Sequence, residues 1–160
     1  MANLEEVSLY KNPLAMSFCK SEDVTSLLRI QGDEDMRPQD FMYERVFPYA
    51  HVPEASEVGR CFLCFEIDVP SVSSDVIKTV EIKIYVMAHQ NLLRLPDGKG
   101  LRTDVLSSVV DKMLNGSGEY GVGTVELMSW RSFSPITGYY GRELKYRVKD
   151  INRSLCSWGA

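Results

Sequence analysis

Cys61 and Cys64 form a C-x-x-C, a spacing that can hold zinc or carry out thiol–disulfide exchange. They sit inside a run that alternates like a strand, where residues three apart point to opposite faces. Two thiolates so placed cannot share one metal, and no second C-x-x-C completes a site. Burial as small apolar thiols is the expected role. His51 and His89 lie in or beside predicted strands without a spaced set of carboxylates or cysteines around them. A serine nucleophile needs a base and an oxyanion site, and nothing in the sequence places Ser107 or Ser108 beside either histidine. Glu66 and Asp68 share one strand face and could form an acid pair, but outward solvated positions are the expectation. Asp33, Glu34 and Asp35 lack the alternating ligands and distal Glu of a calcium loop, so they read as a solvated loop. Gly116, Gly118 and Gly121 match G-x-G-x-x-G, yet they follow a predicted helix and precede a strand, the reverse of a dinucleotide fold. They read as a helix stop and a turn. No catalytic, cofactor or metal set emerges, and a non-enzyme is the expectation.

The elements that carry these residues are clearer than their chemistry. Residues 76–90 alternate, with Val76, Val80, Ile82, Ile84, Val86 and Ala88 on one side and Thr79, Glu81, Lys83, Tyr85 and His89 on the other. That period of two predicts a strand with one buried face. Cys61, Leu63, Phe65, Ile67 and Val69 form the buried side of a preceding strand, and the turn-rich residues 70–75 predict an antiparallel hairpin between the two. Ser21, Glu22 and Asp23 resemble a helix start, followed by Val24, Leu27 and Leu28 and ended by Gly32. Residues 41–52 are aromatic and strand-like, and Pro48, which lacks an amide proton, puts them at a sheet edge. After the Pro96-Asp97-Gly98 turn, Val105, Leu106, Val109, Val110, Met113 and Leu114 mark the main helix, laid on one face of the sheet. Two further strands follow, over 122–131 and 141–149. In the first, Val125 and Leu127 oppose Glu126, Met128 and Trp130; in the second, Leu144, Tyr146 and Val148 share a face.

The expected class is therefore α+β: a mainly antiparallel sheet with a long β-hairpin, one main helix on one face and a short N-terminal helix. Residues 1–160 are taken as a single domain, with 1–20 an N-terminal arm interrupted by Pro13, 21–150 the core and 151–160 a tail. At 44% hydrophobic residues and 25% charged, the chain can bury a core without staples, and its four cysteines do not suggest a disulfide framework. A formal charge of −4 disfavours a sequence-independent grip on nucleic acid. That reading would change if Lys145, Arg147 and Lys149 joined Arg131 and Arg142 in one patch. No apolar run reaches the roughly 18–20 residues of a membrane span, and the acidic N-terminus is unlike a secretory signal. A cytoplasmic site of synthesis and assembly is expected.

The order of elements over about residues 40–150 resembles the tail terminator (tail completion) proteins of tailed bacteriophages. The resemblance is carried by residues 79–89 (TVEIKIYVMAH), 100–106 (GLRTDVL), 121–127 (GVGTVEL) and 140–146 (YGRELKY). It implies a virion structural protein of the tail or neck: a homohexameric ring that caps the tail tube, ends its polymerisation and meets the head connector. DNA would pass through its channel without specific binding. A ring needs two different surfaces on each subunit, for which the Pro48 edge, residues 91–100 with their leucines and residues 133–140 are candidates. Departures at the N-terminus keep a head–tail stopper or adaptor open. A small intracellular enzyme or ligand-binding domain is the reading from another class.

Overall fold

The computed structural model describes residues 5–54, 59–72, 77–118 and 123–151. Among these, three helices pack on a five-stranded, mostly antiparallel sheet, an α+β arrangement. The helices are α1 (Glu5–Lys20), α2 (Glu22–Leu28) and α3 (Arg102–Leu114). The strands are β1 (Val46–Phe47), β2 (Cys61–Val72), β3 (Ile77–His89), β4 (Glu126–Phe133) and β5 (Tyr139–Ile151), in the order β1-β2-β3-β5-β4.

The predicted hairpin is β2–β3, with Leu63 opposite Val86 and Phe65 opposite Ile84. β3 is the central strand, because β5 pairs along its other side from Ile77 opposite Ile151 to His89 opposite Tyr139. Its alternation is resolved as expected. Val80, Ile82, Ile84, Val86 and Ala88 join the large core under the helices, and Val76 lies outside the described residues. The partners on β2 and β5 that enter the same core are Cys61, Leu63, Phe65, Ile67, Leu144, Tyr146 and Val148. A smaller aromatic core of Phe47, Phe62, Cys64, Met87 and Tyr139 lies on the opposite face. Gly141 sits where β5 crosses close to β3, and a Cβ there would fall onto the Val86 carbonyl.

Four expectations are corrected. Most of residues 1–20 form a helix rather than an arm: α1 runs for 16 residues with Pro13 inside it. Val7, Tyr10, Leu14, Ala15, Phe18 and Cys19 recur at helical spacing and pack on the core, while Pro13 is on the exposed side. Burial of that stripe outweighs the roughly 3 kcal/mol that an interior proline costs a helix. The strand expected over 41–52 contracts to Val46–Phe47, which pairs parallel to β2 at the sheet edge. Before it, Pro38–Phe41 is a 3₁₀ turn. The first predicted helix does start at Ser21, whose hydroxyl accepts from the Val24 amide, but it ends at Leu28 rather than at Gly32.

The fourth correction concerns β4. Leu127 opposes Tyr146 and Ser129 opposes Lys145, which leaves Met128 as the extra residue of a bulge. The bulge shifts the alternation, so Trp130 shares a face with Leu127 and not with Glu126.

Candidate functional site and assembly surfaces

The structure separates the residues whose types suggested chemistry. Cys61 enters the core under the helices, whereas Cys64 enters the aromatic core on the other face. Burial pushes both thiols up, Cys61 to about 11 and Cys64 to about 12, which disfavours the thiolate needed for metal binding or exchange. Cys19, on α1, is raised to about 11 for the same reason. The His51 ring stacks on Phe47 at 4.0 Å and meets Phe62 edge-on at 5.0 Å. His89 packs edge-on against Tyr139, and its Nδ1 accepts from the Asn91 amide at 3.3 Å. Ser107 lies on α3, across the sheet from His89, and donates to the Thr103 carbonyl within its own helix at 2.7 Å. Ser108 is exposed. No nucleophile–base pair is assembled from these residues.

Glu66 and Asp68 lie on the helix-free face, where Glu66 opposes Lys83 and Asp68 opposes Glu81. The Lys83 ammonium lies 3.7 Å from Asp68 and 3.6 Å from Glu81. Desolvation is the largest single influence on Lys83 and pulls its pKa down, but the Asp68, Glu81 and Glu66 charges together hold it above its ordinary value. The two acids therefore belong to a shared ion-pair ladder. Of the acidic loop, Glu34 and Asp35 are exposed as expected, but Asp33 is buried. Both its oxygens accept from Arg45 Nη2, at 3.0 and 2.9 Å, and it also accepts from the Ile30 amide. Sequence reasoning missed this pair because its cation stands twelve residues away on the far side of a turn.

Gly116 follows the Asn115 cap of α3 with φ +84°, which is the helix stop expected of it. Gly121 lies outside the described residues. No group of three or more His, Cys, Asp or Glu that could hold a metal occurs among the described residues. No helix among them is long and apolar enough to cross a membrane.

What the described surface offers instead includes exposed apolar side chains towards both ends of the sheet. Beside β1, at one end of the sheet, stand Tyr43, Tyr49 and Val52. At the other end, Leu101 and Tyr140 border a cleft of about 420 Å³ whose lining includes Leu93, Phe133 and Arg142. Leu95 is buried and Leu92 and Leu93 pack partly on the core, so the 91–100 loop both tucks inward and borders this cleft. Arg102 holds the loop to the helices, donating to the carbonyls of Leu92 and Leu27 at 2.8 Å each. Next to the cleft and sharing Asp104 with it, Leu127 and Trp130 of β4 flank a groove of about 270 Å³ alongside α3.

The five basic residues do not form one patch. Lys145, Arg147 and Lys149 share the helix-free face with Arg131, interleaved with Glu143 and Glu126. Arg142 is on the other face, 3.0 Å from Asp104 and stacked 4.0 Å over the Trp130 ring.

Comparison with known proteins gives one family. The YomW family model matches residues 21–148, and no curated protein matches the chain. The chain belongs to the YomW family, a phage-derived family.

Proposed function

We propose that this member of the YomW family is a virion structural subunit of a tailed phage or phage-like particle. In this reading it is a tail terminator whose homohexameric ring caps the tail tube, stops its growth and offers the surface for the head connector. It has no catalytic task and needs no cofactor, and DNA passes through the ring without being bound specifically. Membership of a phage-derived family supports the setting. The observation that carries the ring is the placing of two unlike apolar surfaces at the two ends of one sheet: Tyr43, Tyr49 and Val52 beside β1, and the Leu101–Tyr140 cleft beyond β5. A head-to-tail interface that closes on itself requires two different, complementary surfaces of this kind.

The test is light scattering and negative-stain imaging of the purified chain, alone and with tail tube protein. A ring with a central hole is expected, together with its loss in Tyr49→Lys and in Leu101→Lys. A chain that stays monomeric at high concentration with tube protein present overturns the ring. Binding to portal-side proteins in place of the tube reassigns the subunit as a head–tail stopper or adaptor.

A further inference from the structure

Tyr43 stands in a backbone conformation that its side chain does not favour. Met42 (φ −64°, ψ 127°) and Tyr43 (φ 62°) are the central residues of a turn closed by the Glu44 amide, which donates to the Phe41 carbonyl at 3.2 Å. This is a type II turn, whose third residue is normally Gly or Asn because a bulky side chain is strained at positive φ. The turn is fixed from both sides. The Tyr43 amide donates to the Val46 carbonyl at 2.8 Å, and Arg45 is drawn inward to Asp33. Glycine would suit this backbone better, and the tyrosine has no compensating role within the chain. It is 57% exposed, and its side chain makes no hydrogen bond or ring contact among the described residues.

Strain retained at an exposed aromatic directs attention to a partner, and tyrosine is among the side chains that dominate binding energy at interfaces. We propose that Tyr43 is the plug of the head-to-tail contact, seated in the cleft of about 420 Å³ on the next copy of this chain, a step that rests on the ring reading. The apolar lining of that cleft includes Leu93, Leu101, Phe133 and Tyr140, and Arg142 is there to donate to a phenol oxygen. Pockets of roughly 300–1,000 Å³ hold small molecules, so the cleft admits one aromatic side chain.

Charge and distance favour the same seat. Residues 34–44, around the turn, carry four acids and one base, whereas residues 91–102, which supply Leu93 and Leu101, carry three bases and one acid. Opposite charge on two approaching surfaces steers them together and fixes their orientation. A copy cannot fill its own cleft with Tyr43. β2 and β3 lie between β1 and β5, which puts the two strands about 14 Å apart at the usual strand spacing. Each plug therefore enters the cleft of the next copy, and the contact runs in one direction, as a closing ring requires.

Tyr43→Gly separates the plug from the fold. Its urea midpoint should equal or exceed that of the parent chain, because the turn accepts glycine without strain. In light scattering it should need at least about tenfold more protein to form the ring. Cross-linking supplies a second readout. With p-benzoylphenylalanine in place of Tyr43, irradiation of the assembled ring should join that position to Leu93, Leu101, Phe133 or Tyr140 of the next copy.

A ring that forms equally well in Tyr43→Gly overturns the plug and leaves the ring reading standing. A fall in that variant's urea midpoint also overturns it, since Tyr43 would then serve the fold. Cross-links confined to other surfaces, or to tail tube protein, do the same. A parent chain that never forms a ring overturns both readings together, so the two failures are told apart.

Discussion

The most consequential single residue outside the main core is Asp33. It was expected in a solvated loop, yet it neutralises Arg45, which is 3% exposed and whose Nε has no hydrogen-bond partner. Removing the carboxylate leaves a buried guanidinium uncompensated, a change that typically costs about 3 kcal/mol or more. Asp33→Ala is therefore expected to lower the urea midpoint by a corresponding amount, whereas Asp35→Ala, at an exposed position, should leave it unchanged. Asp33 could not be singled out from Glu34 and Asp35 in the sequence. All three are acids in a polar run, and what distinguishes Asp33 is a cation brought in by the turn between residues 38 and 45. The cysteines show the opposite case. Their separation followed directly from a three-residue spacing on a strand, a geometric rule that needs no tertiary partner.

At the scale of elements, α3 was legible because its apolar stripe is long and regular, and the structure forms that stripe into one helix, Arg102–Leu114. Two polar contacts join it to β5 beside the apolar packing: the Tyr146 hydroxyl donates to Asp111 at 2.8 Å, and Arg142 donates to Asp104 at 3.0 Å. Burial, then the hydrogen bond to Asp111 and its negative charge, raise the Tyr146 phenol well above its ordinary value of 10.0. A folded-state pKa raised above the unfolded one gives stability that is intact below pH 10 and is lost as the pH climbs above it. Tyr146→Phe should thus cost about 1 kcal/mol at neutral pH, where half-exposed Asp111 can rehydrate. It should also remove up to about 1.4 kcal/mol per pH unit of alkaline slope, checked by urea unfolding from pH 9 to 11.5. Part of the slope should remain, because burial and then the Glu66 charge raise Tyr85 to about 12. β4 was placed less well. It starts at Glu126 and ends at Phe133 where 122–131 was expected; a bulge, moreover, is a property of two strands in register, and the alternation of one strand alone put Trp130 on the wrong face.

For the whole molecule, the largest revision is α1. An arm could be removed without harm, but Leu14, Ala15, Phe18 and Cys19 are at most 1% exposed, and each large buried apolar side chain contributes about 1.5–3 kcal/mol. Deleting residues 1–20 is expected to abolish the cooperative thermal transition by circular dichroism; an unchanged midpoint would restore the arm. The sequence by itself determined the α+β class, the β2–β3 hairpin, the two faces of β3 and the main helix. These are read from periods of two and of 3.6 residues, which are local and survive without knowledge of neighbours. Tertiary structure alone decided the central place of β3 between β2 and β5, the parallel edge strand β1, the helix through Pro13, the Asp33–Arg45 pair and the face of Trp130. Each depends on which distant segments come to lie beside one another, and there burial or pairing overrode the local preference.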